Sequence, residues 1–357
     1  MRFLHTADWQ MGMKAAHVGR NASIVRDARR KAARRVAELA RAERVDFVLV
    51  AGDTFEDHAV SGERVDETAE ILTACDCPLY ILPGNHDPLT AASVWERPVW
   101  QGRRNLHVLR DQTPVPVPGG WLLPCPVRDR WSGDDPTKDI PLEPADGVRI
   151  GVAHGSLSSV PMTDRSHPIA ENAAERARLD YLALGHWHTT RVWGRTAYSG
   201  TPEPTRFLEE DSGNVLLVEI QSPGSRPMVD KVRTAVLSWV SMSREVNHEG
   251  DLATIEDELR HAADPKTTLV ELQLKGLLFE ADWPVLRRIR EQLGAQFLHW
   301  AMDDAGLIPA GVEKTLPAGY FQEVERELRL QAEVGPRAEV ARRALMELYR
   351  LAHGGEA

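Results

Sequence analysis

Along the first two thirds of the chain, short apolar runs alternate with longer amphipathic stretches, and each apolar run stops at polar residues able to hold a metal. Residues 2–7 predict a short strand that ends at Asp8-Trp9-Gln10. From Ile24 to about Glu43, Val25, Ala28, Ala32, Val36 and Leu39 recur at three- and four-residue spacing, which predicts an amphipathic helix. Its intervening Arg26, Arg29, Arg30, Lys31, Arg34 and Arg35 are read as a solvated face rather than a DNA-tracking stripe. Phe47–Ala51 and Leu79–Leu82 predict two further buried strands. The first opens into Gly52-Asp53-Thr54-Phe55-Glu56-Asp57 and the second into Pro83-Gly84-Asn85-His86-Asp87, with helical spacing over 62–74 between them. Val148–Ala153 predicts a strand ending at His154-Gly155, and Tyr181–Leu184, after a helix over 170–178, one ending at Gly185-His186-Trp187-His188. Strand, helix, strand, each closing on glycine and polar groups, implies a mainly parallel sheet with its chemistry at the carboxyl edge.

Elsewhere the pattern is weaker. Residues 113–144 are rich in Pro and Gly and predict short antiparallel strands and loops; the polar connection 157–168 is read as a flap over the site. Arg191–Tyr198 reads as an edge strand and Val215–Ile220 as another. A composition shift follows residue 246, where helix, strand, helix and strand over 251–302 predict a compact module. Two helices over 318–352, broken at Gly335-Pro336, close the chain; Val340, Ala344, Leu345, Leu348, Tyr349 and Ala352 form an apolar stripe on the second. The expected domains are 1–240, 241–310 and 311–357.

Composition narrows the class. With 42% apolar and 27% charged residues in 357, no apolar run approaches the roughly 18 residues of a membrane helix, and no membrane partner is expected. Met1 runs almost directly into Asp8, so no cleaved leader is expected. Cys75, Cys77 and Cys125 are odd in number and lack metal-finger spacing, which suits a reducing cytoplasm and structural thiols. A net charge of −10 argues against a general nucleic-acid coat but leaves room for a local cationic site.

Five strand ends thus offer Asp8 with Gln10, Asp53, Asn85 with His86, His154, and His186 with His188. On an extended backbone, side chains at i and i+2 share a face, so Asp8 and Gln10, and likewise the two histidines, are expected to point one way. Trp9 and Trp187 then turn away, and core packing is expected of both in preference to stacking on bases. The donors outnumber what one tetrahedral or octahedral ion uses, so two metals are expected. Oxygens and imidazoles without thiolate favour Mn²⁺, with Fe, Zn or Mg as alternatives.

The series Asp8-x-Gln10, Gly52-Asp53, Gly84-Asn85-His86-Asp87, His154-Gly155 and Gly185-His186-x-His188 resembles that of the calcineurin-like metallophosphoesterases. Phe3 to Trp9 and Tyr198 to Glu203 look more narrowly like the SbcD-type DNA repair nucleases. The resemblance implies an α/β fold: a four-layer α/β/β/α sandwich with a small α/β capping module and C-terminal helices. It also implies two cations, one on Asp8, Gln10, Asp53 and His188 and the other on Asp53, Asn85, His154 and His186, with Asp53 shared. His86 is left to protonate the leaving O3′ or O5′, with Asp87 orienting its ring. Most relatives carry histidine where Gln10 stands, and the nuclease branch often has a histidine where this chain has Glu56. These departures weigh against duplex-end exonuclease action. The expectation is therefore a Mn²⁺-dependent DNA phosphodiesterase of DNA repair, preferring single strands and acting at least partly as an endonuclease. The alternatives are a duplex-end exonuclease partnered by a coiled-coil ATPase and a phosphodiesterase or phosphatase for small nucleotides. The oligomeric state is left open.

Overall fold

The computed structural model describes residues 1–161, 164–261, 264–310, 319–333 and 337–353, which divide into two compact units, Met1–Leu237 and Ser238 onward. The first unit's strands are β1 (Arg2–Thr6), β2 (Phe47–Ala51), β3 (Leu79–Leu82), β4 (Leu106–Val108), β5 (Val115–Val117), β6 (Gly120–Cys125), β7 (Val148–His154), β8 (Ser156–Leu157), β9 (Pro168–Ile169), β10 (Tyr181–Gly185), β11 (Arg191–Trp193), β12 (Thr196–Tyr198), β13 (Asn214–Glu219) and β14 (Met228–Arg233). One sheet has the order β14-β13-β1-β2-β3-β4 and a second β11-β12-β10-β7-β6-β5. In the first, β1 to β4 run parallel; in the second, β12, β10, β7 and β6 do.

The period of two along the strands decides the layering. Phe3, Phe47 and Leu49 face Leu122, Ile150 and Tyr181 in a core between the sheets. Their neighbours Leu4, Val48 and Val50 turn the other way, toward the helices α1 (Ala22–Ala42) and α2 (Gly62–Thr73), which contribute Val36, Ala37, Val65 and Leu72. On the outer face of the second sheet, Ala153 and Leu182 pack with Ala173 and Ala177 around α3 (Ala173–Arg176). The result is the α/β/β/α sandwich, with one outer layer thinned to a single turn of helix. That helix is expected to run over 170–178, yet its flanks turn tightly, with Arg178 at φ 49°. The segment 191–198 is two antiparallel strands instead of one, because Gly194 at φ 56° reverses the chain between β11 and β12.

The second unit carries its own core. Parallel strands β15 (Ser238–Val246), β16 (Thr268–Leu278) and β17 (His299–Pro309) bury Met242, Val270, Leu272 and Leu307 against Leu252, Ile255 and Leu259 of α4 (Asp251–Arg260) and Leu286 of α5 (Trp283–Arg287). Helices α6 (Tyr320–Glu333) and α7 (Ala338–His353) follow. In the apolar stripe of α7, Leu345 is buried beside Leu348, Leu328 and Trp283, while Val340 is exposed. The Gly335-Pro336 break and the side chains of Tyr349 and Ala352 lie outside the described residues. Among the described residues, no helix is long and apolar enough to cross a membrane.

Candidate metal centre

The carboxyl ends of β1, β2, β3, β7 and β10 meet at one edge of the sandwich, and all nine residues singled out from the sequence belong to those strand ends. The route is not the one that alternation predicts. Asp8 (φ 55°), Gln10 (φ 48°), Asp53 (φ 51°) and His186 (φ 102°) all have left-handed backbone, so the i, i+2 rule of an extended strand does not orient them. What orients the first three is a ladder continued past the strands: Asp8 N–H donates to Gly52 O, Gln10 N–H to Asp53 O and Met11 N–H to Thr54 O. The flanking glycines are steric necessities. A Cβ on Gly52 would lie 2.1 Å from His154 Nδ1, and one on Gly84 would lie 2.2 Å from Asp53 Oδ1.

Around Asp53 the polar atoms converge. Its Oδ1 accepts from the backbone N–H of His86 at 2.9 Å and lies 3.4 Å from His154 Nε2, while Oδ2 accepts from Gln10 Nε2 at 3.0 Å. Asp8 accepts from the backbone N–H of His186 at 3.0 and 3.1 Å. His154 Nδ1 donates to Ala51 O at 2.9 Å, which turns Nε2 toward the oxygens of Asp53 and of Asn85, the latter at 2.9 Å. The amide oxygen of Asn85 also meets His186 Nδ1 at 3.0 Å, and His186 Nε2 and Gln10 Oε1 are buried with no hydrogen-bond partner among the described residues. Ligand atoms of Asp53, His154 and His186 all lie within 4.8 Å of one another. Acceptors packed this closely repel unless a proton or a cation sits among them, so the donor set fits divalent metal.

Electrostatics agree. Burial alone would raise Asp53, but His154 and then His86 hold it well below the usual carboxylate range. Burial opposes a charge on His154 as well, yet Asp53 pushes it up to about 9. His186, buried and beside His154, falls to about 3, which leaves it neutral and free to ligate.

His188 brings a partner the sequence did not reveal. Its Nδ1 donates to Glu209 Oε1 at 2.6 Å, and Glu209 also accepts from Thr205 N–H at 2.7 Å. Burial raises Glu209, but His188 outweighs it and brings the carboxyl down to about 2. A carboxylate behind a histidine fixes its tautomer and presents Nε2 as the lone-pair nitrogen. No spacing signal marks Glu209, which sits in the acidic run Glu209-Glu210-Asp211.

His86 and Asp87 differ from expectation in how they are linked. The His86 ring is held by the Glu56 carbonyl, 2.9 Å from Nδ1, and not by Asp87. The Asp87 carboxylate accepts from Gly84 N–H at 2.7 Å and Phe55 N–H at 2.9 Å and so ties the two ligand loops together. Burial, reinforced by Asp53, raises it to about 7. A cavity of about 820 Å³ opens over the cluster, lined by Gln10, Asp53, His86, His186, Trp187 and His188 among others. From the polar connection 157–168, Pro161 and Asp164 line this cavity; Met162 and Thr163 lie outside the described residues. Trp9 is buried, with its indole N–H on Thr6 Oγ1 at 2.9 Å, whereas Trp187 is half-buried and faces the cavity.

The calcineurin-like phosphoesterase family model matches residues 1–190. Among curated proteins, an uncharacterized metallophosphoesterase, YhaO of Bacillus subtilis, is 24% identical over 52% of this chain and 48% of its own length. A subunit of the SbcCD nuclease from Rhodobacter capsulatus is 30% identical over 52% of this chain and 47% of its own. The equivalent SbcCD nuclease subunit of Escherichia coli is 25% identical over 74% of each. The chain thus spans about half the length of the first two of these relatives.

Proposed function

The chain belongs to the calcineurin-like phosphoesterase family, and from that premise we propose that it is a Mn²⁺-dependent phosphodiesterase that cuts DNA, prefers single strands and acts at least partly as an endonuclease. The observation that carries this is the convergence of Asp53, His154 and His186 with two orphaned buried acceptors, His186 Nε2 and Gln10 Oε1, at the floor of one cavity. One cation would be held by Asp8, Gln10, Asp53 and His188, the other by Asp53, Asn85, His154 and His186. Such ions supply, when bound, charge stabilisation for a phosphodiester under attack by water. Asp53 suits the shared position because one carboxylate oxygen faces Gln10 and the other His154.

The chain's own groups do the rest. His86, with Nδ1 spent on the Glu56 carbonyl, holds its transferable proton at Nε2 and delivers it to the leaving oxygen. Asp87 acts through the loops that it ties, as a positioning residue. Mn²⁺ is favoured by the mix of amide and carboxylate oxygens with imidazole and by the absence of thiolate from the candidate set. A role in DNA repair beside an ATPase partner is a second reading, supported by the relatives named as one subunit of SbcCD nuclease.

The test is incubation of the purified chain and Mn²⁺ with circular single-stranded DNA, blunt linear duplex, and bis(p-nitrophenyl) phosphate. Cut circles support the proposal. Digestion confined to duplex ends would replace it with the exonuclease reading, and hydrolysis of the small ester alone would point to a nucleotide-sized substrate.

A further inference from the structure

Beside the metal cavity, the second sheet ends in an edge strand that is exposed along its whole length. Arg191, Val192 and Trp193 of β11 all face solvent, with Val192 at 41% and Trp193 at 37% exposure. Sheet edges are ordinarily blunted with charge, and a solvent-facing Trp there is unexpected unless something covers it.

The Trp193 ring does not stand alone. It lies parallel to Trp187, with ring centroids 6.1 Å apart and an interplanar angle of 13°. The Arg191 guanidinium lies over its ring, 5.9 Å from the centroid. Behind both indoles, Tyr198 meets each one edge-on, at 5.7 Å for Trp187 and 6.2 Å for Trp193. Tyr198 is itself locked: its hydroxyl donates to Gly155 O at 2.7 Å and accepts from Leu157 N–H at 3.0 Å. The column Arg191, Trp193, Trp187 is therefore backed by a fixed wall. Its inner end, Trp187, lies in the chain between the ligand candidates His186 and His188 and lines the metal cavity.

We infer that this column is a subsite for the bases of a single nucleic-acid strand whose scissile phosphate lies in the metal cavity. The inference rests on the phosphodiesterase reading above and adds to it what selects the strand. A base would displace the exposed Arg191 guanidinium from the outer face of Trp193 and stack there in its place, and the displaced guanidinium suits a backbone phosphate. In a duplex the base faces are already taken up in the stack, so the column favours unpaired strands. Continuity with the cavity argues for a substrate in preference to a protein partner, which would have no need of a platform leading to the metal floor.

The test uses the full chain without metal, so that binding is read separately from cleavage. Fluorescence anisotropy would compare a labelled oligothymidylate with an abasic strand of the same length, which keeps every phosphate and lacks every base. The expected result is binding of oligothymidylate about 10-fold tighter than of the abasic strand. Trp193→Ala should abolish that preference, and Trp193→Phe should restore most of it. Equal binding of the two strands by the unmodified chain, binding of neither, or a preference that survives in Trp193→Ala would overturn the subsite and leave β11 as a surface for another protein. The comparison of strands on the unmodified chain needs no variant, so it decides for or against the subsite even where a Trp193→Ala chain fails to fold. Cut circles with equal binding would sink the subsite and keep the phosphodiesterase reading; base-dependent binding with no cleavage would do the reverse.

Discussion

Asp53 sits in left-handed backbone together with Asp8, Gln10 and His186, a conformation that costs a non-glycine residue about 1–3 kcal/mol. The cost is offset by the backbone ladder from Asp8 to Met11 against Gly52 to Thr54, which fixes that stretch with Asp8, Gln10 and Asp53 at the polar cluster and Trp9 and Met11 in the core. His86 differs, being fixed through its ring by the Glu56 carbonyl, so its removal should leave the metal ligands where they are. His86→Ala is expected to bind as much Mn²⁺ as the unmodified chain and to lose roughly 100-fold or more in kcat. Metal content and turnover measured on one preparation check this, and unchanged turnover would remove His86 from the mechanism. Glu209 makes a second prediction at this scale. With its carboxylate gone, His188 loses the group that sets its tautomer, and Glu209→Ala should weaken Mn²⁺ binding by about 10- to 100-fold. Calorimetric titration reads this directly; an unaltered affinity would mean that His188 needs no orienting partner.

Among the elements, α1 does more than cover the first sheet. Its basic residues look like one solvated face, but Arg29 is fully buried and donates to the carbonyls of Trp9, Glu203 and Pro204. Arg35 donates to the carbonyls of Thr234 and Ala235, and only part of the face stays in solvent. Arg29 thus ties the loop after β1 to the Ser-Gly-Thr-Pro-Glu segment. Replacing it with Met should lower stability by about 3 kcal/mol, because three carbonyls lose a charged donor. A reduced urea midpoint at constant slope is the expected signature, and an unmoved midpoint would mean that Arg29 only fills space. The strands themselves are legible in the sequence, since runs such as Phe47–Ala51 are continuously apolar and end in glycine. The burial of Arg29 is not, because its spacing matches that of the exposed arginines beside it. Nor is the link from Glu209 to His188, which spans 21 residues with no periodic signal. Alternation presumes extended backbone where the chain turns left-handed at Asp8, Gln10, Asp53 and His186.

At the scale of the molecule, the candidate metal centre lies in the first unit, because the strand ends that build it all precede Leu237. Its two sheets share a core between them, so the candidate ligands of one sheet, Asp8, Asp53 and Asn85, are held against those of the other, His154 and His186, by packing that includes Phe3, Phe47 and Tyr181. The second unit has its own parallel sheet and core, and none of the candidate ligands lies in it. The composition shift after residue 246 falls past the division, since β15 already belongs to the second unit, and the pairing of the two sheets face to face rests on contacts between residues far apart in the chain. The proposed chemistry depends above all on Asp53 being shared by two cations at the meeting point of those sheets. Equilibrium dialysis of the full chain against Mn²⁺, with Asp53→Asn alongside, measures this without recourse to any substrate. Two ions per unmodified chain and the loss of both tight sites in Asp53→Asn are expected; one ion per chain, or two that survive the substitution, would contradict a shared Asp53.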